Sequence, residues 1–106
     1  MNFIEVNTTE EISNVAIKMQ VASTRFLIVK NQAKAVVGTI SQGDIIRAIL
    51  SDRVSLAMDI MNPNFLYLRD GDEPSIDFFK EKKVIFLPVL YSDNRLKEVL
   101  QIWDMI

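Results

Sequence analysis

The chain repeats itself, and that limits its fold more than any other feature. Phe26-Leu27-x-Val29 returns as Phe86-Leu87-x-Val89, and Asp44-x-Ile46 returns as Asp104-x-Ile106. Both pairs share an offset of 60 residues (26 to 86, 44 to 104), so the copies align without a gap over this stretch. Upstream, Phe3 and Phe65 stand 62 apart, which makes the second copy two residues shorter in its first helix. A period of this size marks a supersecondary unit used twice. At 106 residues the two units together are long enough to bury a real core.

Hydrophobic periodicity gives the content of each unit. Phe3 to Val6 alternates as a short strand. Thr8-x-x-Glu11 reads as a capping box. The helix it predicts places Ile12, Val15, Ala16 and Met19 on one face. Arg25 to Lys30 is a strand with a continuous apolar centre, hence covered on both faces. Asn31-Gln32-Ala33 is too short a link for anything but an antiparallel return along Lys34 to Ser41. Gln42 to about Ser51 is a second helix. Ile45, Ile46, Ala48, Ile49 and Leu50 make it apolar around most of its circumference, so it is deeply packed or covered by another subunit.

A connector, 52–55, leads to a helical turn over Leu56 to Met61, stopped by Asn62-Pro63. The pattern then restarts. Phe65 to Leu68 is a strand, and Asp70 to Pro74 a turn. A short helix buries Ile76 and Phe79, and strands follow over Val84 to Tyr91 and Leu96 to Ile102. The order strand–helix–strand–strand–helix thus occurs twice, with motif boundaries at 1–53 and 54–106. The second copy stops where its last helix should begin. The expected class is α/β (α+β), two βαββα motifs related by a pseudo-two-fold axis.

Composition excludes several functions. There is no cysteine, so neither disulfide nor thiolate chemistry is open to the chain. Histidine is absent too, which removes the commonest general base and metal ligand. The net charge is −2 with no basic stripe, so a nucleic-acid footprint is missing. No apolar run approaches a membrane span, and Met1 to Val6 lacks the character of a signal peptide. The default setting is cytoplasmic. Asp70, Asp72 and Glu73 are the only clustered carboxylates, and they read as a solvated loop, so neither a catalytic nor a metal site is expected. Met19, Met58, Met61 and Met105 read as core fillers, and Trp103 as a packing residue.

Chemistry is concentrated where the strand ending at Ser41 runs into the second helix. Ser41 stands where orphan backbone N–H groups need an acceptor, and Asp44 lies one turn on, on the same side. Two readings fit. Ser-x-x-Asp is a capping box with Asp in place of Glu, serving only its own backbone. Alternatively, a hydroxyl and a carboxylate at a helix N-terminus hold a phosphate and a sugar hydroxyl. Arg47 is the nearest cation, expected to point a turn away, so no basic residue is expected beside Ser41.

Taken together, the residues resemble a tandem pair of CBS motifs, a Bateman module. The resemblance is carried by Phe26-Leu27-Ile28-Val29, by Gly38-Thr39-Ile40-Ser41-Gln42-Gly43-Asp44, by the link Asp59-Ile60-Met61-Asn62-Pro63, and by Phe86-Leu87-Pro88-Val89. It implies a regulatory module that binds an adenosine nucleotide of the AMP, ADP or ATP type and is itself non-catalytic. Ser41 would contact the phosphate and Asp44 the ribose, with Thr39 assisting. Ile4, Val6, Phe26 and Ile28 would line the base pocket. In the second copy Glu98 and Gln101 replace the glycine and serine and only Asp104 survives, so that site is the weaker.

The resemblance further implies a homodimer meeting helix to helix. It also implies a larger protein with a downstream catalytic domain, of which a bacterial sugar-phosphate nucleotidyltransferase is one type. The alternative is a dimerisation scaffold with vestigial sites. Neither a nucleic-acid partner nor a membrane partner is expected.

Overall fold

A computed structural model describes residues 3–22, 24, 26–51 and 55–106. Contacts divide them into two units, one running to Phe65 and the other from Leu66 to Ile106. Ser23, Arg25 and 52–54, which carry parts of the predicted helix end, strand start and connector, lie outside the described residues.

The first unit contains β1 (Ile4–Asn7), α1 (Ile12–Ala22), β2 (Phe26–Lys30), β3 (Val36–Ser41), α2 (Gln42–Leu50) and the single turn α3 (Ala57–Ile60). Its sheet has the order β1-β2-β3, with β1 parallel to β2 and β3 antiparallel. A parallel pair needs a crossover, which α1 supplies. Strand alternation sends Leu27 and Val29 to one face and Ile28 to the other, and all three are buried. Leu27, Val29, Val6 and Ile40 form the helix-facing core with Val15 and Met19 of α1, Ile45 of α2 and Ala57 of α3.

The second unit contains β4 (Leu68–Arg69), α4 (Ile76–Lys82), β5 (Phe86–Leu90), β6 (Leu96–Gln101) and a 3₁₀ turn, Ile102–Met105. Its sheet repeats the first in order and sense, β4-β5-β6. Leu68, Phe79, Leu87 and Val89 form its core, with Leu100 and Met105 packed alongside.

The repeat holds down to register. Phe26 pairs with Ser41 and Phe86 with Gln101, each pair 60 residues from the other. A bulge falls between Val29 and Lys30 and again between Val89 and Leu90. Val6 lies beside Val29 as Leu68 lies beside Val89, which carries the offset of 62 into the first strand. The lost residues fall in the crossover, where α4 has 7 residues against 11 in α1.

Three local expectations are corrected. The helix predicted from Thr8 begins at Ile12, and its first backbone bond runs from Val15 N–H to the Glu11 carbonyl at 3.1 Å. Glu11 instead pairs as a bridge with Leu56, and that tertiary contact displaces the local box. The strand predicted over Phe65 to Leu68 is reduced to Leu68–Arg69, because the ladder reaches only Val89 and Leu90. Met58 is 47% exposed and is no core filler, unlike Met19, Met61 and Met105.

Candidate functional site

The head of α2 is assembled from three short-range contacts. Ser41 ends β3 with extended backbone, which frees its side chain to turn over the first helical turn. Its Oγ accepts from Asp44 N–H at 3.2 Å, and its own N–H donates to Asp44 Oδ2 at 2.9 Å. The capping box is therefore real. The other carboxylate oxygen, Asp44 Oδ1, accepts from Arg47 Nη2 at 2.6 Å. This corrects the expectation for Arg47. Three residues of helix bring the guanidinium back to Asp44, so a cation does stand at the head of α2. The i, i+3 spacing of Asp44 and Arg47 was the signal that could have found it.

Gly43 completes the arrangement. A Cβ there would lie 3.3 Å from Arg47 Nη1 and 3.7 Å from Ser41 Oγ, so the guanidinium and the hydroxyl converge over one bare Cα. An open cleft of about 300 Å³ adjoins them between α2 and α3, its walls including Asp44, Arg47, Ser51, Ser55 and Asp59. Asp59 also accepts from Leu56 N–H at 2.8 Å and so starts α3.

The remaining candidates divide between the two faces of the sheet. Thr39 pairs across β2–β3 with Ile28, and Ser41 with Phe26, so these four share the face turned away from the helices. Ile4 and Val6 lie beside Leu27 and Val29 and pack into the helix-facing core. The four residues expected to line the base pocket thus do not share a face. Thr39 is buried, and its backbone exchanges two hydrogen bonds with Asn62 at 3.2 and 2.8 Å. Asp104 repeats the backbone half of the box, accepting from Gln101 N–H at 2.8 Å, but without a hydroxyl partner.

Gly38 has a different task. A Cβ on it would meet Met61 Sδ at 2.5 Å and Met61 Cβ at 3.0 Å. The Asp59–Asn62 link therefore lies directly on β3, and only glycine leaves it room. Among the described residues no group of three or more His, Cys, Asp or Glu is placed to hold a metal. No helix among them is long and apolar enough to cross a membrane.

No family model matches the sequence, and neither does any curated protein. Solved structures do match. PAE2072 from Pyrobaculum aerophilum, a CBS domain protein complexed with AMP, superposes with a TM-score of 0.79 at 22% identity, covering 98% of this chain and 83% of that one. The CBS domain pair of MJ0100, in complex with 5-methylthioadenosine and S-adenosyl-L-methionine, gives 0.79 at 19% identity over 98% and 85%. CBSX2 from Arabidopsis thaliana, a CBS-pair protein, gives 0.78 at 17% identity over 95% and 81%. The chain has the fold of a CBS-domain pair. Within this fold the stretches singled out in the sequence divide their labour. Gly38 and Asp59 to Asn62 hold the link against β3, while Ser41, Gly43, Asp44 and Arg47 shape the head of α2.

Proposed function

We propose that this CBS pair is a non-catalytic regulatory module that binds an adenosine nucleotide of the AMP, ADP or ATP type at the head of α2. The observation that carries the reading is the gathering of Ser41, Asp44 and Arg47 at one helix N-terminus. A carboxylate has about four acceptor positions, and Asp44 spends one on Ser41 N–H and one on Arg47. Each oxygen keeps room for one hydroxyl of a ribose diol. Ser41 and the N-terminal amides favour an anion beside it. Phe26 and Ile28, on the same sheet face as Ser41, are the nearer candidates for the base, with Thr39 on that face to assist Ser41. Ile4 and Val6 would have to serve from the core behind them.

AMP in PAE2072 and the adenosine-based ligands of MJ0100 support this chemistry for the fold. The second copy, with Gln101 and Glu98 around Asp104, is read as unoccupied or weak. Binding would act on a partner domain through differential affinity for its states. We take that domain to be catalytic, such as the nucleotidyltransferase that the resemblance implies, in a cytoplasmic protein.

Calorimetry with AMP and ATP tests the reading. Saturable heat is expected, and Asp44→Ala should weaken binding by roughly ten- to a hundredfold, the worth of hydrogen bonds to a charged group. Silence across all adenosine ligands at millimolar concentration would favour the second reading, a scaffold with vestigial sites.

One observation favours dimerisation under either reading. Ile17 and Val21 of α1 and Ile46, Ile49 and Leu50 of α2 are exposed, with Val21 at 80% and Leu50 at 79%. They recur at helical spacing on two helices that pack together. A second copy of the chain is the proposed cover. Light scattering should give twice the chain mass, and Leu50→Glu should return it to a monomer.

A further inference from the structure

The geometry points to the outer edge of β6 as a docking site for an extended peptide segment, one that carries a lysine or arginine directly before the residue it pairs with Val99. Such a site lies in the second unit and needs no nucleotide.

The first unit shows what covers an edge of this kind. Thr39 exchanges two backbone hydrogen bonds with Asn62, at 3.2 and 2.8 Å, so its N–H and C=O point away from β2. Thr39 lies opposite Ile28, and Val99 lies opposite Pro88 in the same register. Alternation along an antiparallel ladder then turns the Val99 N–H and C=O away from β5 as well. Pro88 agrees, since a residue without an N–H cannot join a two-bond pair. The next outward N–H, that of Gln101, is taken by Asp104, as that of Ser41 is taken by Asp44. The edge thus offers one donor and one acceptor at Val99. Among the described residues no backbone group bonds to them as Asn62 bonds to Thr39. An open pair on a strand edge is a template for a further strand.

Glu98 selects the occupant. In the first unit Met61, the residue before Asn62, packs against the core that holds Ile40, and a Cβ on Gly38 would stand 2.5 Å from its Sδ. Positions 38 and 40 return as Glu98 and Leu100. A side chain at the place of Met61 therefore loses the space that Gly38 leaves and must lie over half-buried Leu100. Its end then meets Glu98, an exposed carboxylate with no ion pair among the described residues. Methionine would set a thioether against that charge. Lysine or arginine suits both neighbours, with its stem on the leucine and its cation at the carboxylate. A second copy of β6 fits poorly, because antiparallel pairing about Val99 would set Leu100 of one copy opposite Glu98 of the other.

Amide exchange and an NMR titration of the full chain test this. In the free protein the Val99 amide should exchange at least about tenfold faster than the bonded amide of Thr39. The capped peptide Ala-Ile-Lys-Asn-Pro, patterned on the link with lysine in the methionine position, should shift the Val99 amide saturably at millimolar concentration. It should bind about two- to fivefold more tightly than Ala-Ile-Met-Asn-Pro, the range of one cross-strand charge pair. Glu98→Lys, a change at an exposed site, should reverse the order in favour of Ala-Ile-Glu-Asn-Pro. N-methylation of the peptide's asparagine removes the N–H that meets the Val99 carbonyl and should weaken binding roughly tenfold.

A Val99 amide as protected as that of Thr39 in the free chain overturns the inference, since the edge would already be covered. So does a Val99 signal that stays still with the lysine peptide, or that responds equally to the lysine, methionine and glutamate peptides. Val99 shifts that grow with protein concentration alone would give the edge to a second copy and overturn it too.

Discussion

The two units run on the same strand plan and part company at its ends. Both hairpins turn through a residue with left-handed backbone, Lys34 at φ 65° and Asn94 at φ 69°. Asn31 N–H bonds to the Ala35 carbonyl as Tyr91 N–H bonds to that of Arg95. At the strand end, Asp44 and Asp104 both accept a backbone N–H from the residue three before them, at 2.9 and 2.8 Å. The second copy keeps this with glutamine where the first has serine. The lesson is that the aspartate has a local task, starting a helix, that needs no ligand. The proposed site rests instead on Ser41, Gly43 and Arg47, which surround the aspartate in the first copy alone.

The units also differ in cover. Ile40 is fully buried under three helices, whereas its partner in the repeat, Leu100, is only half-buried beside α4 and a 3₁₀ turn. This supports the largest expected effect. Ile40→Ala should cost about 3 kcal/mol in urea denaturation, and Leu100→Ala less than half of that. Equal costs would break the comparison, since they would mean the two cores are equally enclosed.

Next in size is the contrast between Gly38 and Glu98, the same position in the repeat. Gly38→Ala drives a methyl into Met61 and should destabilise by about 1–3 kcal/mol. Glu98→Ala, at an exposed site, should fall within about 0.5 kcal/mol of the parent. If Met61→Ala relieves the cost of Gly38→Ala, the clash with the link is its cause.

The smallest effect belongs to the second unit's own ion pair. Lys97 Nζ donates to Asp70 Oδ1 at 2.6 Å, and this bond and charge hold the ammonium above its ordinary 10.5. A folded pKa above the unfolded one means that the stabilisation is fully present below pH 10.5 and is lost as pH rises through the folded value. A ¹⁵N titration of Lys97 should show the late deprotonation, and Asp70→Asn should bring it back toward the ordinary value.

Much of the fold was legible in the chain. The continuous apolar run Phe26 to Val29, which strand alternation divides between two faces, and the 3.6 period of Ile12 to Met19 both depend on local geometry, so β2 and the buried face of α1 followed from residue order. The repeat located the second set of strands because register is set by the same alternation. The Ser41–Asp44 box was equally visible, since a cap involves four consecutive residues.

Tertiary structure decided what local spacing leaves open. Glu11 pairs with Leu56 across 45 residues, and that contact, not the Thr8 box, sets where α1 begins. Met61 lies on Gly38, and Asn62 pairs with Thr39, which gives the link a place no periodicity records. Ile4 and Val6 went to the core while Phe26 and Ile28 turned to the opposite face, because neighbouring strands must share one pleat. Arg47 is the exception, since its contact with Asp44 lies within one helix and the i, i+3 spacing alone was enough to find it. Sequence patterns report which side of an element is apolar; only packing reports what that side finally meets.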